Sequence, residues 1–159
     1  MRVGYGVLPK ALVTPLIDLK ANVDFGSPHL NQRLVSEVMK RDLYEPHVKT
    51  LCATYQRKQQ AMLQALDTEL GATGLARYLR PGGGLYVWVE LLDGIDTGPR
   101  GKLFELAVQE GMLYVPGEYC FSELATAPRS FMRLSFGVQS EERIAEGVRR
   151  LARAIARAQ

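Results

Sequence analysis

The 159-residue sequence predicts an α/β fold, a small sheet covered by helices on one face, from three observations. Leu85-Tyr86-Val87-Trp88-Val89-Glu90-Leu91 has the aromatic and β-branched content of a strand. Ser130-Phe131-Met132-Arg133-Leu134-Ser135-Phe136 is an alternating apolar run of strand length. Around them lie segments whose apolar residues recur at helical spacing.

In chain order, residues 2–7 read as a short strand closed by Pro9, followed by a helix over about 9–22 carrying Leu12, Leu16 and Leu19. Asp24-Phe25-Gly26-Ser27-Pro28 is a turn, with Ser27 as N-cap and Pro28 at the first position of a helix over about 28–42. A longer helix spans about 44–70 and stops at Gly71 and Gly74. After the 85–91 strand, Asp96-Thr97 is placed to cap a helix over about 99–110, ended by Gly111. Met112–Val115 reads as a strand broken by Pro116-Gly117, and residues 122–130 as a loop into the Arg133 strand. Ser140 caps a last helix whose first turn holds Glu141 and Glu142, where the helix dipole favours acids.

The chain has the length of one domain and the composition of an ordinary soluble globular protein, 47% hydrophobic and 23% charged. A net charge of +3 does not by itself imply nucleic acid, and Arg143, Arg149, Arg150, Arg153 and Arg157 read as the solvated face of the last helix. Cys52 and Cys120 have neither metal-site nor CxxC spacing, which points to a reduced, cytoplasmic setting. His29 and His47 stand apart from any Cys or acidic cluster, so no metal site is expected. No apolar run reaches the 18 or so residues of a membrane span.

Arg133 is the residue with most chemistry in it. A permanent charge inside an apolar strand calls for a partner, because burying it alone costs several kcal/mol or more. Its planar fork suits a carboxylate, either an internal Asp or Glu or that of a ligand. Gly82–Gly84 precedes a strand and is followed by no Lys-Ser/Thr, so it reads as a tight turn and not a phosphate cradle, although glycine also admits close approach by another molecule. Tyr86 and Trp88 alternate with Val87 and Val89; one pair is core, and the aromatic pair is a candidate lining for a site. No nucleophile elbow, Cys–His signature or metal cluster supplies catalysis.

Taken together, Arg2-Val3-Gly4-Tyr5, Pro81-Gly82-Gly83-Gly84-Leu85-Tyr86-Val87-Trp88-Val89-Glu90-Leu91, Val115-Pro116-Gly117, Arg133-Leu134-Ser135-Phe136 and the Glu142–Leu151 helix resemble the C-terminal portion of the fold-type I, class I/II aminotransferases that use pyridoxal phosphate. The 2-aminoadipate/kynurenine and MocR-type regulator branch is the most similar. The resemblance implies a two-layer, small-domain-like sandwich. Residues 1–72 would be the terminal strand of the large domain and connecting helices, and 73–159 the small α/β domain. It also implies roles: Arg133 grips the substrate α-carboxylate, Tyr86 and Gly83 lie near the substrate, and Arg2 pairs with the cofactor phosphate. The Phe25–Asn31 segment would lie near the partner subunit's site in a homodimer.

By the same resemblance the intact enzyme moves an amino group between an amino acid and a 2-oxo acid, without nucleic acid or membrane. The family's Schiff-base lysine stands a few residues before the position of Arg2, whereas this sequence begins at Met1, in mid-strand, and Lys10 and Lys20 match no such motif. The expectation is therefore a fragment, a misannotated start or a separately expressed small domain, which does not bind the cofactor covalently and is inactive alone. Two other readings stay open: the effector-binding half of a MocR-like regulator, and a non-catalytic interaction module with this fold.

Overall fold

The computed structural model describes residues 3–159 and places the elements in the order α1 (Lys10–Asp24), α2 (His29–Lys40), α3 (Tyr44–Glu69), β1 (Ala76–Tyr78), β2 (Tyr86–Leu91), α4 (Lys102–Gln109), β3 (Val115–Pro116), β4 (Phe131–Ser135) and α5 (Glu141–Ala158). Two compact units result, divided within α3 between Leu51 and Cys52.

The second unit holds the sheet, antiparallel throughout, in the order β1-β2-β4-β3. Period-two alternation decides its inner face: Val87, Val89 and Leu91 on β2, and Met132 and Leu134 on β4, are fully or almost fully buried. Against them pack Met62, Leu63, Leu66 and Leu70 at the end of α3, Leu103 and Leu106 of α4, and Ile144, Val148, Leu151 and Ile155 of α5. The apolar spacing of each helix gives it one stripe, and all three stripes meet the same side of the sheet. The result is the expected two-layer α/β sandwich.

Helix ends follow local chemistry. Ser140 Oγ accepts from Arg143 N at 3.4 Å, with Glu141 and Glu142 in the first turn of α5. Glu110, at the end of α4, binds Arg153 at 3.0 Å and Arg157 at 2.9 Å, so one carboxylate ties α4 to α5. Arg150 and Arg149 hold the Glu146 carboxyl down to about 2.

Several elements differ from the sequence expectation. Residues 3–9 form no strand, because no neighbouring strand supplies a hydrogen-bonding ladder there and the segment is exposed. Pro28, not Ser27, holds the N-cap position of α2, without a side-chain cap bond. Thr97 does not cap α4, whose N-cap is Gly101. Thr97 is buried instead, its hydroxyl 2.8 Å from Arg129 O and 2.6 Å from Phe131 O, and it fastens the loop to the start of β4. The Met112–Val115 strand shrinks to Val115–Pro116, because Gly111 takes a positive φ of 73° and Met112 N donates to Ala107 O. That backbone closes the end of α4 and is lost to the ladder.

Gly117, directly after β3, lies close against Phe131 of β4. A Cβ there would lie 2.5 Å from Phe131 Cβ and 2.6 Å from Phe131 O. Gly117→Ala is expected to cost about 1–3 kcal/mol, as overpacking does. Urea unfolding measures this, and an unchanged midpoint would show that β3 shifts away freely.

In the first unit α1 and α2 bury no residue. Among the described residues no helix is long and apolar enough to cross a membrane.

Candidate functional site: the outer face of the sheet

The parity that sends Val87, Val89, Met132 and Leu134 inward sends Tyr86, Trp88, Phe131, Arg133 and Ser135 to the face away from α3, α4 and α5. Arg133 lies opposite Trp88 on β2 and Val115 on β3, in the middle of this face. Trp88 stacks on Phe131 with centroids 5.5 Å apart and planes 17° off parallel, and Phe121 tilts against both at 6.2 Å. The guanidinium carbon of Arg133 stands 4.3 Å from the centroid of the Tyr86 ring. A cation at that height over a ring is attracted by about 0.5–2 kcal/mol, more as water is excluded.

Among the described residues no internal acid pairs with Arg133. Its side chain makes no hydrogen bond or ion pair among them, and its Nε is buried without a partner. Glu90, the acid on this face of β2, is engaged by Arg77 at 2.6 Å. Asp96 and Glu118 are both engaged by Arg129, at 3.5 and 3.4 Å. An unpaired guanidinium held against aromatic walls is chemically a receptor for a planar anion, above all a carboxylate.

Of the residues singled out from sequence, the structure brings Arg133 and Tyr86 together. Gly83 lies in the turn before β2, where an added Cβ would meet nothing within 4 Å, so the main chain is open to approach. The turn's conformational demand falls on Gly84, with a φ of +85°. Arg2 lies outside the described residues, and Phe25–Asn31 belongs to the first unit. The Trp88–Phe131–Phe121 cluster was missed as a unit, although Phe131 shares Arg133's parity and that signal was present in the sequence.

Pyridoxal phosphate does not fit the described residues of the second unit as a complete site. The larger cleft there, about 530 Å³ between Met62, Met112, Leu134, Arg143 and Val148, has no lysine in its lining. A second cleft, about 470 Å³, is lined by Lys102 with Asp93 and Asp96, away from Arg133 and without an aromatic wall. Lys10 and Lys20 lie on α1, and Lys20 is paired with Asp24. What the described residues of this unit present is an arginine fork set against an aromatic ring, with no lysine beside it in either cleft's lining except Lys102.

No protein-family model matches the chain. It is 37% identical over 155 residues to the 2-aminoadipate transaminase of Thermus thermophilus, which covers 98% of this chain and 37% of that enzyme. It is 30% identical over 144 residues to the HTH-type transcriptional regulator NorG of Staphylococcus aureus, covering 91% of this chain and 30% of the regulator. The crystal structure of LysN, the α-aminoadipate aminotransferase of Thermus thermophilus complexed with N-(5'-phosphopyridoxyl)-L-leucine, superposes with a TM-score of 0.82 at 37% identity, over 96% of this chain and 37% of that one. The chain thus spans about a third of the length of the relatives it matches. In sequence and in fold it corresponds to the C-terminal portion of a fold-type I aminotransferase, a portion that helix-turn-helix regulators of the MocR kind also resemble.

Proposed function

We propose that this chain is the carboxylate-recognising part of a pyridoxal-phosphate-dependent aminotransferase, and that Arg133 binds the α-carboxylate of the amino acid and of the 2-oxo acid. The observation that carries this reading is the guanidinium of Arg133, unpaired among the described residues and set against Tyr86 on the open face of the sheet. Two parallel N–H···O bonds from the fork fix the carboxylate's plane, and with it the direction in which Cα points. The aromatic cluster beside it limits water, which strengthens that ion pair.

In the intact enzyme, by the same proposal, pyridoxal phosphate supplies the electron sink, Arg2 faces its phosphate, Gly83 admits the substrate past the main chain, and two copies form a cytoplasmic homodimer. The 159-residue chain alone does not transaminate, since Lys10 and Lys20 match no Schiff-base motif that would hold the cofactor and move the proton. Similarity to NorG favours a second reading, in which the same face binds an effector for a regulator.

Titration of the chain with pyruvate, followed by NMR, tests the carboxylate site. The Arg133 Nε–H signal is expected to shift saturably, and Arg133→Gln to weaken binding roughly 10- to 100-fold, the worth of a charge-assisted hydrogen bond. Undiminished binding in that variant would remove Arg133 from the site. Borohydride reduction with pyridoxal phosphate is expected to give no stoichiometric label at a single lysine, and such a label would refute the claim of incompetence.

A further inference from the structure

We infer that Tyr86 is a positioning residue, which acts on the carboxylate through Arg133 by holding the guanidinium with its ring and not by a bond from its hydroxyl; this rests on the carboxylate reading above. In an antiparallel pair the side chain nearest Arg133 is the one directly opposite, and that is Trp88. Trp88, however, is face-stacked on Phe131 at 5.5 Å. The guanidinium goes instead to the diagonal neighbour, Tyr86, whose own register partner is Ser135.

Diagonal positions are about 7–8 Å apart at Cα, a gap that only long and aromatic side chains close. Ser135, exposed and short, leaves the space over Tyr86 free for the arginine. Two things follow. The aromatic–aromatic stack fixes which ring is available, and that ring fixes where the fork points. An arginine side chain carries about 2 kcal/mol of rotamer entropy, so a fork already held by a ring loses less freedom on binding. The Tyr86 hydroxyl has no described hydrogen-bond partner and plays no part in this arrangement.

The test uses the full 159-residue chain labelled with 15N, pyruvate as probe, and the variants Tyr86→Phe, Tyr86→Leu and Arg133→Gln. Tyr86→Phe keeps the ring and is expected to bind pyruvate within about twofold of wild type. Tyr86→Leu is expected to weaken binding about 2- to 30-fold, the equivalent of one cation–π contact. Tyr86 is 46% exposed, so both variants are expected to unfold near the wild-type temperature. Without any ligand, Tyr86→Leu is expected to lower the 15Nε–{1H} heteronuclear NOE of Arg133, and Tyr86→Phe to leave it unchanged.

If Tyr86→Phe loses as much affinity as Tyr86→Leu, the hydroxyl touches the ligand and the positioning role is overturned. If Tyr86→Leu binds like wild type while Arg133→Gln does not, the positioning role also falls and the carboxylate site survives. If wild type shows no response to pyruvate, or Arg133→Gln responds equally, the carboxylate reading itself falls.

Discussion

Phe136→Ala is expected to destabilise the second unit by about 3–5 kcal/mol, the range for removing a wholly buried phenylalanine. Phe136 heads the residues with no exposed surface, follows β4 directly, and donates its backbone N–H to Leu85 O at 3.1 Å. Its side chain joins the core shared by β2, β4 and the three helices. A domain of this size is stable by roughly 5–15 kcal/mol, so one truncation removes a large share. Urea unfolding of the chain should show a lower midpoint with a nearly unchanged slope. A loss below about 1 kcal/mol would mean that the neighbours collapse into the space, contrary to a close-packed core.

Brief trypsin digestion is expected to remove most of the first 50 or so residues and leave a product that ends at Gln159. α1 and α2 bury none of their residues, and exposed apolar side chains run through them, among them Leu12, Ile17, Val23, Leu30 and Leu34. α1 also carries Pro15, which deletes a helical hydrogen bond at a cost of about 3 kcal/mol. Helices of 15 and 12 residues without a packed face are marginal in water. Lys10, Lys20, Arg33, Lys40, Arg41 and Lys49 offer cleavage points there. In α3 the buried residues begin only at Met62. Mass spectrometry of the time course decides the matter: first cuts beyond Met62, or a resistant intact chain, would contradict it.

How much of this was legible in the sequence depended on whether a feature is local. β2, β4 and α5 are written locally, in alternation, in aromatic and β-branched content and in the Ser140 cap, and they appear where expected. β1 was not foreseen, because Ala76-Arg77-Tyr78 is too short to show a period and becomes a strand only through Leu91, Glu90 and Val89 opposite. Residues 3–7 failed for the converse reason: strand-like composition makes no strand without a ladder. Thr97 looked like a cap because Ser, Thr and Asp serve caps and loops alike, and only tertiary packing chose the carbonyls of Arg129 and Phe131. Arg133 was visible as an anomaly. Its seat over Tyr86 was not, since that depends on register and on the prior engagement of Trp88, and neither is a property of a single segment.

A sheet with α3, α4 and α5 packed on one face separates two kinds of heredity. Alternate positions of β2 and β4 face the core and answer to stability, while the positions between them answer to whatever molecule is met outside. Tyr86, Trp88 or Ser135 can therefore be exchanged without altering the buried set of Val87, Val89 and Leu134. The same layout can serve an enzyme in one descendant and a sensor in another, because only one parity of the code has to drift.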